Sequence, residues 1–145
     1  MIMPYRYLED VAIADVAFEA WGKTIEELFE SSGFALTNAM IKDLGRIEQK
    51  VVKAFEVEAS DVEMLLFNFL QELIFYKDAE RLLFNRFDLD IEQKDGKWHL
   101  GVKAYGEEID REKHELLADA KAIALHNFKV EETAEGWGAM VIVDV

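Results

Sequence analysis

The stretch Asp15-Val16-Ala17-Phe18-Glu19-Ala20-Trp21 is followed, after Gly22-Lys23, by Thr24-Ile25-Glu26-Glu27-Leu28-Phe29-Glu30. The first run alternates, with Val16, Phe18 and Ala20 on one face and Ala17, Glu19 and Trp21 on the other, which is the period of a strand. The second opens with a capping box. Here the Thr24 hydroxyl can accept from the third helical N–H while Glu27 reaches back over the helix start. Ile25, Leu28, Phe29, Phe34, Ala35 and Met40 then keep helical spacing, so an amphipathic helix is predicted to about Met40, weakened in the middle by Ser31-Ser32-Gly33. The change of period from two to 3.6 within ten residues sets the class of fold.

Working outward, Tyr5 to Val11 reads as a strand before this unit. Ile47 to Val57 reads as a strand after it, with a bulge near Lys53-Ala54. Ser60-Asp61-Val62-Glu63 is a second capping box and starts the strongest helix. Met64, Leu65, Phe67, Leu70, Leu73, Ile74 and Phe75 are expected inside it, with Glu63, Gln71, Glu72 and Lys77 outward. The rest is mostly β. Phe84 to Glu92 and Lys97 to Tyr105 flank Gln93-Lys94-Asp95-Gly96, whose Asp-Gly fits a hairpin turn. Ala118 to Phe128, Lys129 to Glu132 and Gly138 to Val145 supply further strands, the last pair joined through Gly136. Helices among antiparallel strands predict an α+β fold: one two-layer domain over residues 1–145, its mostly antiparallel or mixed sheet carrying two long helices on one face.

Composition supports one compact domain. The chain has 145 residues, 51% of them hydrophobic and 12% aromatic, which is ample core material. It has no cysteine, so disulfides, thiolate metal sites and cysteine nucleophiles are all excluded. No stretch approaches about 20 apolar residues, and the N-terminus lacks a signal-peptide pattern, so a cytoplasmic protein is expected. The net charge is −14. Nucleic-acid binding is driven largely by cationic side chains, whereas here basic residues stand singly beside acids, as in Lys42-Asp43, Lys77-Asp78 and Lys94-Asp95. Service in an RNA pathway would therefore run through contact with a protein.

Standard catalytic signatures are absent. There is no Gly-rich phosphate loop before a Lys-Ser/Thr pair and no Gly-x-Ser-x-Gly elbow. His99, His114 and His126 lack zinc-ligand spacing. Acids remain. Met140-Val141-Ile142-Val143-Asp144-Val145 reads as a covered strand with one acid at its tip, beside the terminal carboxyl group of Val145. Asp144 either projects into solvent, as acids mostly do, or joins a hard-metal site, since Ca²⁺ and Mg²⁺ take clustered oxygen ligands.

Several motifs together resemble the archease family. They are Ala14-Asp15-Val16, Ala20-Trp21-Gly22, the helix Thr24 to Glu30, Leu70-Gln71-Glu72-Leu73-Ile74-Phe75, Lys103-Ala104-Tyr105-Gly106-Glu107, Lys113-His114-Glu115, Lys121-Ala122-Ile123, His126, Lys129-Val130-Glu131 and Val143-Asp144-Val145. They keep the family's order over essentially the whole chain. The resemblance implies a non-catalytic accessory protein that assists the GTP-dependent RNA ligase of tRNA splicing, promoting its guanylylation and turnover. It also implies a Ca²⁺-type site, open to Mg²⁺ or Mn²⁺, built from Asp15, Asp144 and Val145. Lys113, His114 and Lys121 keep the family pattern and are candidate partner contacts. Two departures stand out. The family's His-Thr-Ala-Asp is here Ala12-Ile13-Ala14-Asp15, and its Thr-Tyr-His is Ala124-Leu125-His126. Glu9 or Asp10 could stand near the place of the missing polar groups. Two other readings remain open: a small metal-dependent hydrolase using Asp15 and Asp144 to activate water, and a chaperone-like protein-binding module.

Overall fold

The computed structural model describes residues 4–9 and 15–145. In chain order these form β1 (Tyr5–Leu8), β2 (Asp15–Gly22), α1 (Ile25–Met40), a 3-10 turn (Leu44–Arg46), β3 (Val51–Ala59), α2 (Val62–Glu80), β4 (Leu82–Lys94), β5 (Lys97–Glu108), β6 (Ala122–Thr133) and β7 (Gly136–Asp144). The strands pair antiparallel in two sheets, β1-β2-β7-β6 and β3-β5-β4. The α+β class is as expected, but the strands divide between two sheets. Both helices touch both sheets: α1 packs on β2 and β4, and α2 packs on β6 and β3. Phe29 of α1 stacks on Phe69 of α2 at 5.9 Å, and Phe69 meets Phe87 of β4 edge-on at 5.7 Å, so aromatic packing ties helices and sheet into one core.

The first capping box forms. The Thr24 hydroxyl accepts from the Glu27 N–H at 3.1 Å, and the Glu27 carboxylate accepts from the Lys23 N–H at 2.7 Å, one residue before the cap itself. At α2 the cap is Asp61 rather than Ser60, its carboxylate accepting from the Met64 N–H at 2.8 Å. Glu63 is thereby released from capping and accepts from the Val130 N–H of β6 at 3.0 Å. The buried face of α2 includes Leu65, Leu70, Leu73 and Ile74 as expected, and adds Leu66, Phe69 and Lys77. Leu66, Leu70, Leu73 and Lys77 share one stripe at spacings of four, three and four, so Lys77 is carried inside. Phe75 falls on the other side and is 55% exposed.

The hairpin after β4 is the predicted one. Asp95 and Gly96 both have positive φ, 55° and 76°, and Lys94 pairs with Lys97 across a two-residue turn. The bulge lies elsewhere than expected. β3 pairs with β5 without interruption from Val51–Gly106 to Ala59–Trp98, while β4 shifts register between Phe84 and Arg86. Gly106 makes that shift tolerable, because a Cβ there would come within 1.8 Å of the Leu83 carbonyl oxygen. β3 starts only at Val51, since the Asn85 amide takes the Leu44 and Ile47 carbonyls at 2.9 and 2.8 Å and holds that stretch out of the ladder.

β6 is one strand where two were expected, and its pairing with β7 is interrupted between Ala124 and Lys129. Asn127, with φ of 59°, sits in the interruption. Residues 118–121, expected in a strand, instead end a strap that leaves β5 and crosses the C-terminal end of α1. Leu117 N–H donates to Met40 O at 2.8 Å, Lys42 N–H to Glu115 O at 2.9 Å, and Ile41 bridges Leu116. Lys77 pins the strap from α2, its ammonium 2.6 Å from both Asp119 and the Ala120 carbonyl. The expected end of the first strand, beyond Leu8, and the segment Asp10 to Ala14 lie partly or wholly outside the described residues.

Candidate functional site

Alternation along β2 turns Val16, Phe18 and Ala20 toward the core and leaves Asp15, Ala17, Glu19 and Trp21 on the opposite face. β7 runs antiparallel beside it, and the register places Asp15 directly opposite Asp144. Directly opposed residues share a face, with Cβ atoms about 5 Å apart. Both acids are half-buried, and neither has a Lys, Arg or His within ion-pairing distance among the described residues. Two like charges so placed destabilise the pair unless a cation enters. Val145 follows Asp144, half-buried, and supplies main-chain oxygen at the same end of the ladder. The donor chemistry therefore suits a hard divalent cation, with all-oxygen ligands and net negative charge. Among the described residues, no group of three or more His, Asp or Glu side chains is placed to hold a metal ion, there or elsewhere. Asp10 and residues 12–14, which lead into Asp15, lie outside the described residues.

Lys121 belongs to the same corner of the molecule. Its backbone N–H donates to the Asp144 carbonyl at 2.8 Å, and Ala122 pairs with Asp144 on the side away from Asp15. Its side chain is exposed. His126, kept from the family's pattern, is exposed in the interrupted stretch of β6 beside Asn127, whose amide lies 3.2 Å from its Nε2.

Lys113 and His114 stand at the other end of the strap, in a cluster that the sequence alone did not bring together. The Glu107 carboxylate, at the end of β5, accepts from the Glu48 N–H at 2.6 Å and from the Lys113 ammonium at 2.7 Å, and lies 3.1 Å from His114 Nε2. The Asp110 N–H donates to His114 Nδ1 at 3.0 Å, so the proton of a neutral ring sits on Nε2 and points at Glu107. Lys113 also reaches Glu48 at 2.7 Å. Burial pushes the Glu107 carboxyl up, but the Glu48 N–H, Lys113 and His114 outweigh it and hold its pKa at about 2. The His114 side chain is 0% exposed, so direct contact between it and a partner requires the strap to open.

Lys77 is the third buried polar centre. Burial would lower its pKa, yet Asp119 and Asp78 outweigh burial and raise it, keeping the ammonium charged. The sequence signal for it was present, since position 77 falls four residues after Leu73 on the apolar stripe.

Fold and site together define an acidic α+β protein with paired carboxylates closing one antiparallel ladder. The model of the archease protein family matches residues 5–145. The chain is 44% identical over 133 residues to the archease of Pyrococcus furiosus, covering 91% of this chain and 93% of that one. It is 32% identical over 142 residues to the archease of Methanosarcina acetivorans, covering 97% and 95%. The solution structure of Methanobacterium thermoautotrophicum protein 1598 superimposes with a TM-score of 0.86 at 32% identity, covering 99% of this chain and all of that one. A Thermotoga maritima archease, described as a possible chaperone, shares the fold with a TM-score of 0.60 at 19% identity, covering 97% and 100%. The chain belongs to the archease family. Among the described residues, no helix is long and apolar enough to cross a membrane.

Proposed function

We propose that this protein is a non-catalytic, metal-binding accessory protein that activates the GTP-dependent RNA ligase of tRNA splicing, promoting ligase guanylylation and repeated turnover. The observation that carries the reading is the opposed pair Asp15 and Asp144, two uncompensated acids at a ladder end with Lys121 bonded alongside. Asp15, Asp144 and a main-chain oxygen of Val145 hold Ca²⁺, or Mg²⁺ or Mn²⁺ in its place. Bound there, the cation neutralises the acids and fixes the end of β7. The chain's own residues do the rest: Asp144 positions Lys121 through the backbone bond, and the Lys121 ammonium faces solvent where a protein partner can meet it. A charge of −14 supports contact with the ligase rather than with RNA. Membership of the archease family supports the choice of partner.

The test adds the purified protein, in substoichiometric amount, to its cognate ligase with GTP and Mn²⁺ and follows the covalent guanylate on the ligase. Faster guanylylation and more than one turnover per ligase support the reading. Unchanged ligase kinetics, or tight tRNA binding by the isolated protein, overturn it.

A second reading is a chaperone-like module, favoured by the exposed apolar side chains Phe75, Leu117 and Leu125, at 55%, 55% and 61%. Suppression of aggregation of an unrelated denatured protein would favour it over the first.

A further inference from the structure

Where the strap leaves β5 it passes the C-terminal end of α2, and between the two lies a cleft of about 370 Å³. Leu82–Glu108 is the last pair of the β4–β5 ladder. Just beyond it the Ile109 N–H donates to the Arg81 carbonyl at 2.7 Å, which ties the start of the strap to the residue that caps α2. Arg81 has φ of 56°, the left-handed conformation that ends a helix and turns the chain back toward the sheet. Farther along, the strap is fixed to α1 through Leu117 and Met40 and to α2 through Lys77. The buried side chains of Met40 and Leu83 line the cleft together with Ile109, Leu116 and Leu117, of which Leu116 and Leu117 are exposed.

The charge of this cleft runs against that of the molecule. Three cations line it, Lys77, Arg81 and Arg111, with two carboxylates, Asp78 and Asp119. Both carboxylates already have a partner. An ammonium carries three hydrogens, and Lys77 directs its own to Asp78 at 2.5 Å, Asp119 at 2.6 Å and the Ala120 carbonyl at 2.6 Å. Arg81 and Arg111 are in no ion pair among the described residues. Lys113, two residues after Arg111 in the same tight turn, reaches away to Glu48 and Glu107. On the open faces of the two sheets the clefts have more acids than bases in their walls. A surplus of positive charge beside exposed leucines is therefore particular to this place among them.

We propose that this cleft docks a short segment of a partner protein in which a glutamate or aspartate stands beside leucine, the carboxylate meeting Arg81 and Arg111 and the leucine covering Leu116 and Leu117. Guanidinium pairs with a carboxylate through two parallel N–H groups, so two unpaired arginines in one wall match a single acid in shape as well as charge. Other occupants fit less well. The phosphates of a nucleic acid would continue past the two arginines into the acids of a chain with net charge −14. A second copy of the chain would bring another −14 to the same surface. A small free acid would satisfy the arginines but leave Leu117 uncovered. The site shares no residue with the Asp15–Asp144 end and goes beyond the ligase reading.

The test is a titration of the full chain, labelled at its leucine and isoleucine methyl groups, with the peptide acetyl-Gly-Leu-Glu-Leu-Gly-amide at physiological salt. The same titration uses the peptide with glutamine in place of glutamate, which keeps the shape and removes the charge. Leu125, exposed on β6 and outside the cleft, is the reference for unspecific apolar contact. The Ile109, Leu116 and Leu117 methyl signals should move with the glutamate peptide while Leu125 stays still. Arg111→Gln, at an exposed position where folding is not at stake, should weaken binding roughly threefold, as for loss of an exposed ion pair. Lys94→Gln, which removes the same charge at the far end of the β4–β5 ladder, should leave it unchanged. Equal shifts with the glutamine peptide or with hexanoate, movement of Leu125 together with the cleft, or unaltered affinity in Arg111→Gln would each overturn the proposal. So would displacement of the peptide by an RNA oligonucleotide, or movement of the same signals on dilution of the protein alone.

Discussion

Asp15 and Asp144 form the last pair of the β2–β7 ladder, directly opposite one another, and Ala122 flanks Asp144 on its other side. An apolar neighbour and a like-charged one leave these carboxylates without compensation from within the sheet. In the presence of a chelator, Asp15→Asn or Asp144→Asn should therefore raise stability slightly, by about 0.5 kcal/mol, as expected for relief of a like-charge cross-strand pair. Under the proposed function, Ca²⁺ at 100 times its dissociation constant adds about 2.7 kcal/mol to the unsubstituted protein. Either substitution should abolish that gain. Thermal melts with EDTA and with Ca²⁺ check both halves, and a chelator-insensitive melting temperature in the unsubstituted protein would remove the metal from the account.

The Glu107 cluster yields a pH dependence whose sign is fixed. The folded carboxyl titrates at about 2, against an ordinary value of 4.5, so the folded state binds its proton less readily than the unfolded state does. The stabilisation is fully present above pH 4.5 and is lost as the pH falls toward 2. Glu107→Gln should destabilise the protein at pH 7 by about 2 kcal/mol, because Lys113 and His114 lose a buried charged acceptor. Near pH 2 the variant and the original should unfold almost together. Denaturant melts at the two pH values provide the comparison.

Local chemistry made much of this fold legible in the sequence. The Thr24 cap and the Asp95-Gly96 turn depend on residues within a few positions of each other, and both form as read. What failed depends on distant partners. Nothing near Lys77 in the chain announces Asp119, and Glu107 meets Glu48 across 59 positions. The bulge was misplaced because its cause is the fit of Gly106 against Leu83, a cross-strand contact. At the candidate site, the alternation of β2 and β7 shows which residues share a face, but register alone decides that Asp15 meets Asp144. A slip of one residue would have put the two acids on opposite faces.

Lys77 should be the clamp of the strap between β5 and β6. Its side chain is 7% exposed, and its ammonium bonds Asp119 and the Ala120 carbonyl, the latter bond fully buried. Lys77→Ala leaves that carbonyl without its donor and opens a cavity under the strap, at a cost of about 2 kcal/mol. The distinctive effect is local. Amides of Lys113, His114, Leu117 and Ala118, which bond within the strap or to α1, should exchange with deuterium much faster than those of β5. Uniform acceleration across the protein would show general destabilisation instead of a released strap.

Lys121 separates the structural from the functional contribution of the same corner. Its backbone N–H, not its side chain, bonds Asp144, so Lys121→Ala keeps that bond and removes only an exposed ammonium. The melting temperature should move by no more than about 1 °C, as for other surface substitutions away from buried contacts. The Ca²⁺-dependent rise in stability should also persist, because Asp15 and Asp144 are untouched. If the ammonium meets the ligase, the rate of ligase guanylylation at limiting accessory protein should nevertheless fall by about tenfold, the loss expected when a charged contact worth about 1.4 kcal/mol disappears. Lys121→Arg should recover part of it. Full stimulation by Lys121→Ala would place the ligase contact elsewhere on the surface. Loss of stimulation together with loss of the Ca²⁺ effect would mean that Lys121 acts by holding the end of β7 in place.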